Sequence, residues 1–144
     1  MKQYKKILVA VELNAKTDAK PIKQAEQLAK ELGAAIILVN AVENFGRYNA
    51  NTISIGFEID KVLMENATAS IKTLGAKLGI PKNRLVVRLG SAKQVILEEA
   101  DKLKVDLIIV GSHGVGGIRA VLGATADGVL HGAKCDVLAV RLKK

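Results

Sequence analysis

The densest chemical signal in the chain is the stretch DLIIVGSHGVGGIRAVLGATADGVL, Asp106 to Leu130, where an apolar run halts at Gly111 and glycine recurs at 114, 116, 117, 123 and 128. Glycine removes side chains, so backbone N–H groups can close on an anion, and a helix starting there adds its positive end. The chemistry this pattern offers is phosphate binding; the plainer alternative is a strand-to-helix turn with no ligand. A Walker loop is excluded, because no Lys-Ser or Lys-Thr follows GSHGVGG. A dinucleotide fingerprint is excluded too. Arg119 occupies the third glycine position counted from Gly114, and the turn after the first apolar run, ELNAKTD, has no glycine.

Other reactive side chains are sparse. His113 lies in the glycine loop and reads as an exposed loop residue, while His131 beside Gly132 reads as a helix end. No Cys-His, Ser-His or metal-ligand spacing stands out, and Glu12 with Asp18 does not make a convincing acid–base couple. The chain is therefore expected to have no catalytic residue and no metal site and not to be an enzyme, with slow ATP hydrolysis left open. The single cysteine, Cys135, allows no intrachain disulfide, suits a reducing compartment, and reads as a small core residue of the last strand.

The elements that must position the glycine loop follow from periodicity. KILVAVEL, Lys6 to Leu13, reads as a strand buried on both faces. A helix follows, with Thr17 or Asp18 as cap and Pro21 in its first turn, carrying Ile22, Ala25, Leu28, Ala29 and Leu32 until Gly33 stops it. Strand two is Ala34 to Val42, and Glu43 to Gly56 is polar and unpatterned, a flap or excursion. A second helix spans about Glu58 to Leu78 and ends at Gly79 and Pro81; strand three is Arg84 to Leu89. Ser91 and Gln94 fit a reciprocal capping box for a third helix. Val105 to Val110 is strand four, Arg119 to Leu130 a fourth helix, and DVLAVRL the fifth strand.

Strict alternation of strands and helices implies an α/β fold: one doubly wound, five-stranded parallel sheet with helices on both faces. In the strand order 3-2-1-4-5, the winding reverses between strands one and four, and the crevice at their carboxyl ends is where such a sheet binds ligands. Glu12 to Asn14 would line one side and Gly111 onward the other.

Composition bounds the rest. A chain of 144 residues suits a single domain spanning 1–144, with an aliphatic core because aromatics are scarce and Trp is absent. The net charge of +8 favours anionic ligands, but the basic residues form no run or stripe, so nucleic-acid binding is not expected. The apolar start is broken by Glu12 and lacks a cleavage site, no stretch approaches a membrane span of about 20 residues, and a cytoplasmic location is expected. DVLAVRL would be an apolar, proline-free edge strand that needs a cover.

ILVAVE near the start, ADKLKVDLIIVGSHGVGG, and GATADGVLHGAKCDVLAVR together resemble the universal stress protein family over the whole chain. The resemblance implies an adenine nucleotide alpha hydrolase-like domain, a homodimer paired through the last strand, and a role in bacterial stress adaptation. Many members bind ATP through glycine, two residues, glycine, nine residues, glycine, then serine or threonine. Gly111 and Gly114 match the first two positions; Gly123 matches the third across eight residues, with Ala124 where the hydroxyl belongs. In the alternative register Ala124 replaces the third glycine, restoring nine residues and placing Thr125 as the hydroxyl. Glu12 stands for the family's first-strand aspartate, Ala41 for the valine beside the adenine, and Val110 precedes the loop. A missing hydroxyl contact to phosphate is worth about 1.5–3 kcal/mol.

Two functions follow from the resemblance. In the first, the chain is a stress-response regulator that binds ATP or AMP, with magnesium, at Glu12, Ala41, Val110, Gly111, Gly114, Gly123, Ala124 and Thr125, and signals to an unidentified protein partner. In the second, matching the short spacing and long polar segment of the universal stress protein A class, it is a dimeric interaction protein without nucleotide.

Overall fold

The computed structural model describes residues 3–42, 53–112 and 123–142. Its strands are β1 (Lys6–Ala10), β2 (Ala35–Val42), β3 (Leu85–Leu89), β4 (Leu107–Ser112) and β5 (Asp136–Arg141). Helices α1 (Ala15–Leu32), α2 (Ile53–Leu78), α3 (Ala92–Leu103) and α4 (Ala124–Gly132) alternate with them. The strands form one sheet in the order β3-β2-β1-β4-β5, every neighbouring pair parallel. This is the doubly wound α/β architecture expected from the alternation.

The sheet separates two apolar layers. On one face Leu8, Val39, Ile108 and Val110 pack with Val95 and Ile96 of α3 and Ala126 and Val129 of α4. On the other, Ile7, Val9, Leu38 and Ile109 pack with Ile22 and Ala25 of α1 and Ile71 of α2. Consecutive strand residues point to opposite faces, so β1 and β4, covered on both, must be apolar at every position rather than at alternate ones. Ile7, Leu8 and Val9 of β1 and Ile108 and Ile109 of β4 have no solvent exposure. Cys135 precedes β5 instead of lying within it, half-buried against the α3/α4 layer.

Several boundaries differ from the sequence reading, each for a local reason. β1 ends at Ala10, before Leu13. The cap of α1 is Asn14, whose Oδ1 accepts from the Lys16 N–H at 2.9 Å, instead of Thr17 or Asp18. With the helix starting at Ala15, Pro21 falls in its second turn, buried. α2 begins at Ile53, so the last residues of the expected flap, Glu43 to Gly56, are helical; residues 43–52 lie outside the described residues. β4 continues through Gly111 and Ser112, because β5 pairs with it that far, Gly111 against Val140 and Ser112 against Arg141. α4 is described from Ala124, and the part expected from Arg119 to Leu122 lies outside the described residues.

The capping box at α3 forms by half. The Ser91 Oγ accepts from the Gln94 N–H at 3.2 Å, but the Gln94 side-chain amide donates to Glu98 Oε2 at 3.0 Å instead of serving the cap. A charged neighbour is the stronger attraction for an amide donor. Before this cap Gly90 sits at φ 141°, a backbone angle that side chains rarely adopt, with its N–H on the Val42 carbonyl at 2.9 Å. It turns the chain from β3 into α3.

Arg88 of β3 ties α3 to the sheet. Its two terminal nitrogens reach Glu98 Oε1 at 2.7 Å and Glu99 Oε2 at 2.9 Å, and the Glu99 side chain is only 5% exposed. The guanidinium also holds the exposed Glu98 carboxyl below the usual glutamate range, with Gln94 assisting. That contribution to stability is present above the ordinary glutamate value and is lost as pH falls through the lowered one. Arg88→Met would strand the buried Glu99 charge, and chemical denaturation at pH 7 should show a loss of about 3 kcal/mol. A loss under about 1 kcal/mol would mean that Glu99 is satisfied without Arg88.

Candidate functional site

Where the winding reverses, at the carboxyl ends of β1 and β4, a cavity of about 340 Å³ opens. Its size falls in the lower part of the range of about 300–1,000 Å³ found for small-molecule sites. β1 contributes Ala10 and its continuation Val11 and Glu12; β2 contributes Asn40 and Ala41. β4 contributes Val110 and Gly111, and the start of α4 contributes Gly123, Ala124 and Thr125. The fold thus brings together Glu12, Ala41, Val110, Gly111, Gly123, Ala124 and Thr125. Gly114, also singled out in the sequence, lies outside the described residues, as does His113.

The start of α4 is the electropositive part of the cavity. Gly123 is the cap residue, extended at φ −62° and ψ 161°, and makes no side-chain bond to the helix. The first N–H groups of α4 therefore receive no capping oxygen from it, and such a helix end favours negative charge. Gly111 is packed closely for a different reason. A Cβ there would lie 2.7 Å from Leu142 Cδ1, because Leu142, held by its N–H on the Ser112 carbonyl at 3.1 Å, folds over the end of β4. Leu142 lines the cavity as well. The same glycine thus serves backbone proximity to the cavity and close packing of the chain end.

The opposite wall is acidic. Glu12 follows β1, and Asp18 of α1 stands beside it, 4% exposed. Asp18 Oδ1 accepts from the Glu12 N–H at 2.8 Å and Oδ2 from the Asn14 N–H at 3.0 Å. Burial pushes its carboxyl above the usual aspartate range, partly offset by these N–H bonds and reinforced by the Glu12 charge. In the floor, the buried Asn40 donates from Nδ2 to the Val11 carbonyl at 2.8 Å, tying β2 to the first residue beyond β1. Sequence reading missed Asn40 and Leu142 and considered Asp18 only as a cap or acid–base partner. Asn40 left a signal, a lone amide within the apolar run IILVNAV; Leu142 left none, since its role depends on where β5 ends.

This geometry can hold an elongated, dipolar ligand: a hydrogen-bond-donating end at Glu12 and an anionic end at α4, with small apolar side chains between. Among the described residues no group of three or more His, Cys, Asp or Glu could hold a metal ion.

The family model for the universal stress proteins matches residues 3–141 of this sequence. The chain belongs to the universal stress protein family. Universal stress protein A homolog 2 of Coxiella burnetii is 43% identical over 144 residues, covering 99% of either chain. Among solved structures, the universal stress protein UspA of Lactobacillus plantarum superposes with a TM-score of 0.80 at 19% identity, over 98% of this chain and all of that one. A universal stress protein crystallised in complex with cAMP matches with a TM-score of 0.60 at 23% identity, over 99% of this chain and 100% of that one. At such identities the structural matches establish the shared fold.

Replacing Gly111 by valine in this universal stress protein forces Leu142 away from the end of β4. Thermal or chemical unfolding should report a destabilisation of about 1–3 kcal/mol, the usual effect of overpacking. An unchanged midpoint would show that Leu142 moves aside freely.

Proposed function

We propose that this chain is a cytoplasmic stress-response regulator that binds an adenine nucleotide in the cavity between β1 and β4. The observation that carries the reading is the pairing, in one cavity, of a helix N-terminus at Gly123–Thr125, whose cap residue supplies no side-chain oxygen, with Glu12. Phosphates suit the first, ribose and base donors the second. The cAMP complex of a fold neighbour supports the same ligand class. Magnesium would arrive with ATP, held by its phosphates, since one or two carboxylates plus substrate oxygens are its usual company. No catalytic residue is assigned; binding, rather than turnover, would be the signal to a protein partner. One observation favours the nucleotide-free alternative: Ala124 stands where the family's phosphate-binding hydroxyl belongs, leaving Thr125 as the only hydroxyl at the start of α4.

Dimerisation through β5 completes the proposal. β5 is an edge strand whose Leu138 and Val140 are only half-buried on the α1/α2 face. An apolar edge of this kind is a template for a further strand, and a second copy of β5 would cover it.

Two measurements test these readings. Magnesium-ATP at about a hundred times its dissociation constant should raise the unfolding midpoint by roughly 5–10 °C, equivalent to about 2.7 kcal/mol. No shift with millimolar ATP, AMP or cAMP would select the nucleotide-free alternative. Sedimentation at micromolar concentration should show a dimer, and Val140→Lys, which places a charge on the paired edge, should yield monomer; a wild-type monomer would refute pairing through β5.

A further inference from the structure

We propose that Asp18 is the positioning residue of the cavity's acidic wall: its buried carboxylate anchors the turn Glu12–Leu13–Asn14 and so sets where Glu12 stands toward a bound nucleotide. The inference rests on the nucleotide reading and names a residue that acts through Glu12.

The geometry carries it. β1 pairs with β4 as far as Val9 and with β2 as far as Ala10, so beyond these the paired register no longer fixes its path. Two bonds replace the ladder on the cavity side. Val11 donates its N–H to the Val39 carbonyl at 2.9 Å, and Asn40 Nδ2 reaches the Val11 carbonyl at 2.8 Å. After Val11 the chain turns through Leu13 at φ 62°, a left-handed conformation unfavourable for a branched side chain. Asp18 holds that turn. One oxygen takes the Glu12 N–H and the other the Asn14 N–H, while the Leu13 N–H between them adds to the support of the charge. Successive N–H groups converging on one anion form a cradle of the kind that binds phosphate; here the anion is the protein's own.

The charges around Asp18 define its behaviour. Among the described residues lining the cavity the only other titratable group is Glu12; β2, β4, α3, α4 and the end of β5 present uncharged groups there. Lys20, farther along α1, points its Nζ at the Arg141 carbonyl of β5, 3.5 Å away. Among the described residues no cation lines the cavity to offset the burial of Asp18, in keeping with its carboxyl standing above the usual aspartate range. The linkage has a definite sign. A raised folded value means that the group favours folding most below the ordinary aspartate value of about 3.9, and that this contribution declines as pH rises through the raised one.

The test compares wild type with Asp18→Asn, a substitution of nearly equal volume that offers one acceptor oxygen instead of two. In wild type the amide resonances of Glu12 and Asn14 should titrate together with a midpoint above 3.9, and Asp18→Asn should abolish that titration. Exchange of those amides at pH 7 should quicken about tenfold or more in the variant, and its dissociation constant for magnesium-ATP should rise about tenfold, as for loss of one hydrogen bond to a charged group. The unfolding midpoint at pH 7 should not fall in step. Unaltered exchange, or unaltered ATP affinity despite faster exchange, overturns the proposal. A loss of affinity that tracks only a loss of stability, with the amide titration intact, also overturns it. A wild-type protein that binds no nucleotide overturns the nucleotide reading itself, and with it the role toward ATP, while the exchange result still decides whether Asp18 anchors the turn.

Discussion

Parallel pairing of β1 with β4, across the point where the winding of the sheet reverses, is the constraint on which the rest of the structure depends. Ile7, Leu8 and Val9 align with Leu107, Ile108 and Ile109, and both strands are sealed by helices on either face. Connections leave β1 toward β2 and β4 toward β5, in opposite directions, so the helices that follow the two strands cover different faces. The gap between them at the carboxyl ends is the cavity. Its existence needs no special residue, only alternating elements and the strand order.

What the cavity can hold is set by the start of α4 and by the turn after β1. The cap residue of α4, Gly123, provides no side-chain oxygen, and the start of that helix faces the cavity. The segment after β1 reaches α1 and carries two carboxylates, of which Asp18 is turned inward onto backbone N–H groups. One side therefore favours negative charge and the other positive charge or hydrogen-bond donors. That polarity follows from backbone amides and buried carboxylates, which a net charge of +8 spread over the surface does not describe.

Leu142 links this site to the edge of the sheet. It follows β5, bonds to the end of β4 and packs on Gly111, so the last strand and the cavity share a wall. A displacement of Leu142 would therefore be felt both at the cavity wall and at the edge of the sheet. The contact is a side chain on a glycine, with no other group interposed. Arg88 plays a comparable bracing role on the other edge, joining β3 to α3 through Glu98 and Glu99.

Much of this was legible in the residues. Continuous apolar runs at Lys6–Leu13 and Val105–Val110 announce strands buried twice over, and their alternation with helical periods announces a doubly wound parallel sheet. Seven of the eight residues that the family resemblance singled out for the ligand line the cavity; periodicity alone, which began the fourth helix at Arg119, did not put Gly123 at a helix start. Cap identity was not legible, since Thr17, Asp18 and Asn14 all have capping oxygens and only the path of the chain beyond β1 chooses among them. Nor was the Gln94 contact, because a local capping pattern cannot know that Glu98 competes for the same side chain. The sequence by itself determined the layers and the parallel, doubly wound class, since those follow from apolar periodicity and chain connectivity, whereas the expected order β3-β2-β1-β4-β5, and with it the place of the crevice, is fixed by the strand pairing. Tertiary structure alone decided that Asp18 faces inward, that Asn40 braces Val11 and that Leu142 closes over Gly111, because each depends on groups distant in sequence meeting at one point.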